Sequence, residues 1–158
     1  MDEALKKQAL RMINYGLYVM TSTDGKDVAA GTVNWVSQCS FKPPLVMVGV
    51  KGDSHLHALV EKSRRFAVNI LADGQKDLAN DFFKPTQTSE GTLNGRPYVA
   101  GSTGCPLLTD TPASFECRVA EIVHQGDHSV IVGEVVDAHV RKTAEPLHMR
   151  TTGWFYGG

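Results

Sequence analysis

The sequence predicts a mainly β protein, a small Greek-key β-barrel with short α-helices at its periphery. Short segments rich in β-branched and aromatic residues recur at hairpin-like spacing, and about six of them qualify as strands. The long strand–helix alternation that a doubly wound parallel sheet requires is absent. With 158 residues, no internal repeat and no linker, we expect one domain that covers residues 1–158.

The first elements are a helix and a hairpin. Asp2 is a suitable cap for a short amphipathic helix, whose apolar face consists of Leu5, Ala9, Met12 and Ile13. Residues 17–22 predict a strand, and the Asp24-Gly25 pair favours a tight turn. The chain is expected to return as a second strand over residues 28–36.

Residues 31–50 carry the strongest signal for a binding site. Their first part mixes small polar side chains with Trp35, which a purely structural core strand does not need. After Pro43-Pro44, residues 45–50 form an uninterrupted apolar run, typical of a strand buried on both faces. The combination predicts a small-molecule site at the edge of the barrel.

The middle of the chain is expected to alternate helices and strands. A helix capped by Asp53 or Ser54 runs through residue 61, followed by a strand at residues 66–71. A further helix at residues 75–83 precedes the segment 84–106, which is rich in Gly, Thr, Ser and Pro. This segment is long for an irregular loop, so we expect it to wrap the surface or a site.

Two long strands are predicted near the end. Residues 114–123 alternate, which places Phe115, Cys117 and Val119 on one face and Glu116 and Arg118 on the other. A tight turn at residues 126–127 leads into a strand at residues 128–140, in which Gly133 is a candidate bulge or bend.

Composition excludes several classes of function. The net charge is −1, with 16 basic and 17 acidic residues, so no nucleic-acid partner is expected. No apolar segment is long enough to span a membrane and no signal peptide is visible, so we expect no membrane association and a cytoplasmic location. The three cysteines have no CxxC spacing, which favours free thiols. Cys39 is interpreted as a small filler of a strand, with a redox role as the alternative.

The sequence shows no metal or nucleotide fingerprint. The only closely spaced histidines are His55 with His57 and His124 with His128, and neither pair lies in a cysteine pattern, so no metal site is expected. GxGxxG and GxxxxGK[ST] motifs are both absent.

Several segments together resemble a known family. Residues 31–50 with their Pro-Pro pair, the strand FAVNIL at residues 66–71, and GDH at 126–128 followed by GEVVD at 133–137 occur in an order similar to the flavin reductase-like FMN-binding split-barrel family. The opening YGLYVMTS at residues 15–22 is similar to the branch that contains flavoredoxins and the flavin domain of high-molecular-weight rubredoxins.

The resemblance implies a six-stranded Greek-key split barrel that forms a homodimer and binds FMN near the subunit interface, with FAD as the alternative cofactor. Its histidine near the flavin ring corresponds to His128, the expected catalytic residue. Leu56 departs from the family, because related sequences often have Thr there to contact the FMN phosphate. By position, the expected flavin contacts are Thr32, Asn34, Trp35, Val36, Ser37, Gln38, Cys39, Lys51, Ser54, His55 and His57.

The residue types leave some of these roles open. Trp35 offers the flavin a flat surface or packs in the core or dimer interface. Lys51, directly before a helix start, suits a phosphate or is an exposed turn lysine. His128 orients a nicotinamide, supplies a proton to reduced flavin, or contacts only backbone in its turn.

The resemblance therefore implies an FMN-binding oxidoreductase of the flavin reductase type. Electrons would pass from NAD(P)H or a protein donor to flavin or another acceptor, so the expected partners are flavin, nicotinamide and a redox protein. One alternative is an electron-transfer flavoprotein without substrate turnover. Another is a split-barrel module that binds haem or no ligand, which the Leu56 departure favours.

Overall fold

The computed structural model describes the whole chain, Met1–Gly158. Helix α1 spans Glu3–Leu10, and the carboxylate of Asp2 caps it by accepting from the backbone N–H groups of Ala4 and Leu5 at 2.8 and 3.2 Å. The predicted cap is therefore present. The apolar face of α1 is not covered by the rest of the chain, because α1 has no buried residue and Leu5 is 63% exposed.

The predicted second strand ends earlier than expected, and a separate strand follows it. Strands β1 (Tyr18–Thr23) and β2 (Val28–Val33) form the expected hairpin, but β2 ends at Val33 and β3 begins at Val36. Asn34 and Trp35 break the strand, and the backbone N–H of Gly49 donates to the carbonyl of Trp35 at 2.8 Å. This break turns the chain away from β1 and toward its next partner.

The bounds of the following elements match the prediction closely. The strand over residues 45–50 is, however, buried on one face rather than on both, because Val48 and Val50 are buried while Met47 is 42% exposed. Strand β4 spans Pro44–Lys51, helix α2 spans His55–Ser63 and strand β5 spans Arg65–Ile70. The cap of α2 is Ser54 rather than Asp53, because the Ser54 hydroxyl accepts from the backbone N–H of His57 at 3.1 Å.

Helix α3 (Lys76–Asp81) leads into a segment that is more ordered than predicted. Residues 84–106 contain β6 (Thr88–Ser89), β7 (Thr92–Leu93), β8 (Arg96–Ala100) and the start of β9 (Pro106–Leu108), which form a small four-stranded sheet. Glycines at positive φ, including Gly91 and Gly95, permit the tight turns between these strands. The chain ends with β10 (Ala113–His124), β11 (His128–Val140) and the short helix α4 (Met149–Thr152).

The main sheet has seven strands in the order β2-β1-β5-β10-β11-β4-β3, and all its neighbours are antiparallel. The predicted mainly β barrel with short helices is confirmed. The count is seven rather than six because residues 36–41, for which no separate strand is predicted, form β3. None of the four helices is long and apolar enough to cross a membrane.

Close packing, not a bulge, explains Gly133. A Cβ atom at this position would lie 2.5 Å from the ring of Phe66, which is fully buried in the barrel core. The bulges of the β10–β11 hairpin lie nearby instead, at Ala120 and Val136, which have no partner residue in the register.

Two buried clusters position the site. One fills the barrel and includes Met20, Phe66 and Ile131. The other joins the outer side of β1 to α3 and the C-terminal segment, and includes Leu17, Phe82 and Met149. Because β2 lies between these clusters, its side chains border the groove where they meet.

Candidate functional site

A cavity of about 730 Å³ lies against β2 and the start of α2. Its other walls come from residues 82–86, from His128 at the start of β11, and from the C-terminal segment that contains Met149 and residues 154–156. Half of its 22 lining residues are hydrophobic. A cavity of this size and character suits a small organic ligand with an extended apolar part.

The charge of the cavity lining is positive. Lys51 and Lys84 contribute ammonium groups, and no Asp or Glu lies in the lining. The Lys51 ammonium lies 3.1 Å from the Asp53 carboxylate, but both side chains are more than half exposed, so this ion pair holds Lys51 weakly. Ser54 and the N-terminus of α2 lie beside it. The arrangement favours an anionic group.

An aromatic cluster surrounds His128. Its ring lies 4.7 Å from Trp35 and 5.6 Å from Tyr156, measured between ring centroids. His128 Nε2 lies 2.7 Å from the Tyr156 hydroxyl and Nδ1 lies 2.9 Å from the Asp127 carboxylate. The hydrogen bond from His128 lowers the pKa of Asp127, and burial raises the pKa of Tyr156. The imidazole is therefore oriented from both sides.

Six of the predicted site residues line the cavity: Thr32, Asn34, Lys51, Ser54, His55 and His128. All six side chains have polar partners within the chain. The Thr32 hydroxyl donates to the carbonyl of Ala79 at 2.6 Å, and the Asn34 amide donates to the Met149 sulfur at 3.2 Å. His55 Nε2 lies 2.7 Å from the Asp27 carboxylate.

The other predicted residues lie outside the cavity. Ser37, Gln38 and Cys39 are exposed on β3, which is an edge strand of the main sheet, and Val36 packs against the barrel core at the start of that strand. Trp35 lies behind His128 and Tyr156, where its buried indole N–H has no hydrogen-bond partner. His57 is buried on another side of α2 and bonds to Ser129 at 2.8 Å.

Leu56 lies in the cavity wall and is 6% exposed. A Cβ atom on Gly31 would be 3.4 Å from the Leu56 side chain, so helix and strand approach closely here. The position is apolar where related sequences often carry a hydroxyl.

Sequence reasoning missed two parts of the lining. Residues 82–86 (FFKPT) and 154–156 (WFY) both contribute to it. They meet directly, because the rings of Phe83 and Trp154 lie 5.1 Å apart and the Lys76 ammonium lies 4.8 Å above the Trp154 ring. The aromatic WFY cluster is the available signal in the sequence, but three adjacent aromatic residues near the C-terminus fit a dimer contact or a cover for the barrel end as well as a cavity wall.

Comparison with known proteins gives a consistent picture. The family model described as "Flavin reductase like domain" matches residues 10–156. A ferric-chelate reductase (NAD(P)H) of Archaeoglobus fulgidus is 32% identical over 142 residues, which cover 89% of this chain and 84% of that protein. The crystal structure of the flavin reductase component of a bacterial two-component tryptophan halogenase superposes with a TM-score of 0.83 at 28% identity, covering 99% of this chain and 98% of that one.

One of the similar proteins is much longer than this chain. Diflavin flavoprotein A 1 of Synechocystis sp. is 35% identical over 160 residues, which cover 99% of this chain. The chain spans only 28% of that protein and less than half of several other curated relatives.

Proposed function

This chain belongs to the flavin reductase-like family, as the sequence resemblance predicted, and on that premise we propose that it uses FMN to pass electrons from NAD(P)H to free flavin. Its class is a flavin-dependent oxidoreductase. The choice of FMN over FAD, the donor and the acceptor belong to the proposal.

One observation carries the proposal: a half-hydrophobic cavity that contains two lysines and no carboxylate. A flavin mononucleotide has a large apolar ring system at one end and a phosphate at the other, so it needs both properties in one cavity. When bound, the flavin supplies the capacity to accept and donate hydride, which no side chain of the protein needs to provide.

The phosphate would be held by Lys51 and by the N-terminus of α2. Lys51 ends β4, and Ser54 caps the helix that begins at His55. The Ser54 hydroxyl already accepts from His57 and donates to the carbonyl of Lys51, so backbone N–H groups and the Lys51 ammonium remain for the ligand. Because Leu56 provides no hydroxyl, we expect Lys51 to carry a larger share of phosphate binding.

His128 is the proposed catalytic residue. It lines the cavity and its Nε2 lies against the Tyr156 hydroxyl, so it can accept a proton at that atom next to a bound ligand. Trp154 and Phe155 line the same cavity and would exclude water from it.

A homodimer remains part of the proposal. The outer face of the sheet near β3 carries exposed Met47 and Val130, with 42% and 40% of their surfaces accessible. Cross-strand pairing places Ser37 opposite Met47 on this face. In a dimer formed there, Ser37, Gln38 and Cys39 could approach the flavin of a second copy. Sedimentation analysis of wild type and Met47→Lys tests this, with the variant expected to be monomeric.

Absorbance of the purified protein tests the proposal most directly. We expect bound FMN, identified by mass spectrometry after release, and bleaching of the flavin band on addition of NADH or NADPH without oxygen. Continuous reduction of added free flavin by NADH or NADPH would then demonstrate the proposed flavin reductase activity.

Different results favour the alternatives. Bleaching only with a separate reductase protein would indicate an electron-transfer flavoprotein. A colourless protein that does not bind FMN on titration would contradict both flavin functions and favour a module for another ligand.

A further inference from the structure

We propose that His57, Glu61 and His124 form a binding site for a divalent transition-metal ion such as Zn²⁺. His57 and Glu61 lie one turn apart on α2, and His124 ends β10. One ligand atom from each of the three residues lies within 4.8 Å of the others. Two imidazoles and one carboxylate form a ligand set that suits Zn²⁺ and neighbouring first-row metals.

The distances from the two imidazoles to the Glu61 carboxylate are close to the donor separations of a tetrahedral site. His57 Nδ1 lies 3.5 Å from one Glu61 carboxylate oxygen, and His124 Nε2 lies 3.2 Å from the other. Two ligands at about 2.1 Å from a tetrahedral zinc are about 3.4 Å apart. Small side-chain rotations would therefore bring all three donors to one ion.

A buried hydroxyl supports the two histidines from behind. Ser129 Oγ lies 2.8 Å from His57 Nε2 and 2.9 Å from His124 Nδ1, and Ser129 is 3% exposed. Each imidazole thus uses one nitrogen toward Ser129 and the other toward Glu61. Histidine ligands of metals almost always donate their second ring N–H to such a partner, and the two lone pairs of one hydroxyl can accept both.

Without a cation, neutral histidines cannot satisfy this arrangement completely. The Ser129 hydroxyl has one hydrogen, so it donates to one ring and accepts from the other. The ring that donates to Ser129 then turns a lone pair, not an N–H, toward the Glu61 carboxylate. A metal ion between Glu61 and the two rings removes this repulsion, because both rings then donate to Ser129.

The site is separate from the flavin cavity but close to it in sequence. None of its four residues lines the cavity, while His128, adjacent to Ser129, does. The side chains of Glu61 and His124 are about half exposed, which leaves room for an incoming ion and a water ligand. A bound ion would join α2 to the β10–β11 hairpin. This inference does not depend on the proposed flavin chemistry.

Metal titration of tag-free protein, first stripped with chelator, tests the site. We expect one Zn²⁺ per chain in competition with a chromophoric chelator, and Co²⁺ absorption bands typical of a four-coordinate site. His124→Ala removes a half-exposed ligand and should weaken Zn²⁺ binding by at least about 100-fold. The matched control is His148→Ala, which removes another exposed histidine outside the cluster and should leave the affinity unchanged.

Ser129→Ala separates the supporting role from direct ligation. It should weaken Zn²⁺ binding by about 10- to 100-fold while the Co²⁺ bands persist. Circular dichroism establishes that each variant is folded, and Zn²⁺ should raise the melting temperature of wild type but not of His124→Ala. Equal Zn²⁺ affinity in wild type and His124→Ala, or no stoichiometric binding by wild type, would overturn the proposal and leave only a hydrogen-bonded cluster.

Discussion

His128 Nε2 and the Tyr156 hydroxyl lie 2.7 Å apart, although 28 positions separate the two residues in the chain. On the opposite side of the ring, the ionised Asp127 carboxylate can only accept a hydrogen bond, so Nδ1 carries the proton and donates to it. In the neutral ring, Nε2 is then an acceptor for the Tyr156 O–H. The C-terminal segment therefore controls the orientation of the proposed catalytic histidine.

Tyr156→Phe should slow NAD(P)H-driven flavin reduction by about tenfold with little change in FMN affinity, because it keeps the ring against Trp35 but removes the hydrogen bond to His128. His128→Ala should slow reduction by about 100-fold. The two effects belong to one unit, so the double variant should be no slower than His128→Ala. Stopped-flow absorbance provides the rates. If the rate reductions of the two single variants multiplied in the double variant, Tyr156 and His128 would not act as one unit.

Lys51→Met should weaken FMN binding by about tenfold, because it removes the proposed phosphate cation and keeps the side-chain stem. The effect should shrink at high salt, where an exposed charge is screened. Fluorescence titration at two salt concentrations measures it. Lys26→Met, in the exposed β1–β2 turn, is the control and should bind as wild type. Equal affinities of the two variants would exclude the phosphate role.

Glu116 should contribute strongly to stability. Its carboxylate is fully buried and accepts from the backbone N–H groups of Ser102 and Thr103 at 2.9 and 2.7 Å and from His139 at 3.1 Å. Burial alone would raise the pKa of Glu116, but the hydrogen bonds from Thr103, His139 and Ser102 lower it from 4.5 to about 2. Glu116→Gln should lower the free energy of unfolding by about 3 kcal/mol at pH 7.

The same carboxylate predicts a pH dependence. Because its pKa is lowered on folding, its stabilisation is complete above pH 4.5 and is lost as the pH falls toward 2. Urea unfolding at several pH values measures the free energy of unfolding of wild type and Glu116→Gln. The difference between the two should narrow as the pH falls from 4.5 to 2. Glu90→Gln, at an exposed turn, should follow wild type throughout. If the difference in the free energy of unfolding stayed constant between pH 7 and pH 2, the stabilisation would not come from the ionised Glu116 carboxylate.

One of the three thiols should react in the native protein. Cys39 is exposed, whereas Cys105 and Cys117 are buried. Burial raises the pKa of Cys105, and it raises the pKa of Cys117 to about 12, so neither forms a reactive thiolate near neutral pH. Ellman's reagent should titrate one thiol before and three after denaturation, and none in native Cys39→Ser. Native reaction of a second thiol would show that the core opens.

The main elements could be predicted because their signals are local. Asp2 caps α1, the Asp24-Gly25 pair forms the β1–β2 turn, and the apolar run at residues 45–50 lies in β4, between β11 and β3. Each of these depends on neighbouring residues or on simple periodicity. Lys51 ends β4 and lines the cavity, as the family resemblance and its position shortly before a helix cap predict.

The failures depend on contacts between distant segments. Alternation predicts that Glu116 lies on the face opposite the apolar side chains of β10. It is nevertheless fully buried, because Gly101 lies against its carboxylate and Ser102 and Thr103 donate to it. Residues 82–86 and 154–156 form one wall although about 70 positions separate them. Cys39 was expected inside the barrel, but the break after Val33 makes β3 an exposed edge. Contacts between segments so far apart in the sequence leave no pattern among neighbouring residues from which they could be predicted.

The two bulges in the β10–β11 hairpin compensate each other. The extra residue at Val136 shifts the register by one, and the extra residue at Ala120 shifts it back, so His124 pairs with Ser129 in the same frame in which Ala113 pairs with Val140. Deleting one of them would slip every pair beyond it and turn side chains to the opposite face. Deleting both would preserve the frame. Insertions and deletions at these two positions should therefore occur together during the evolution of the family.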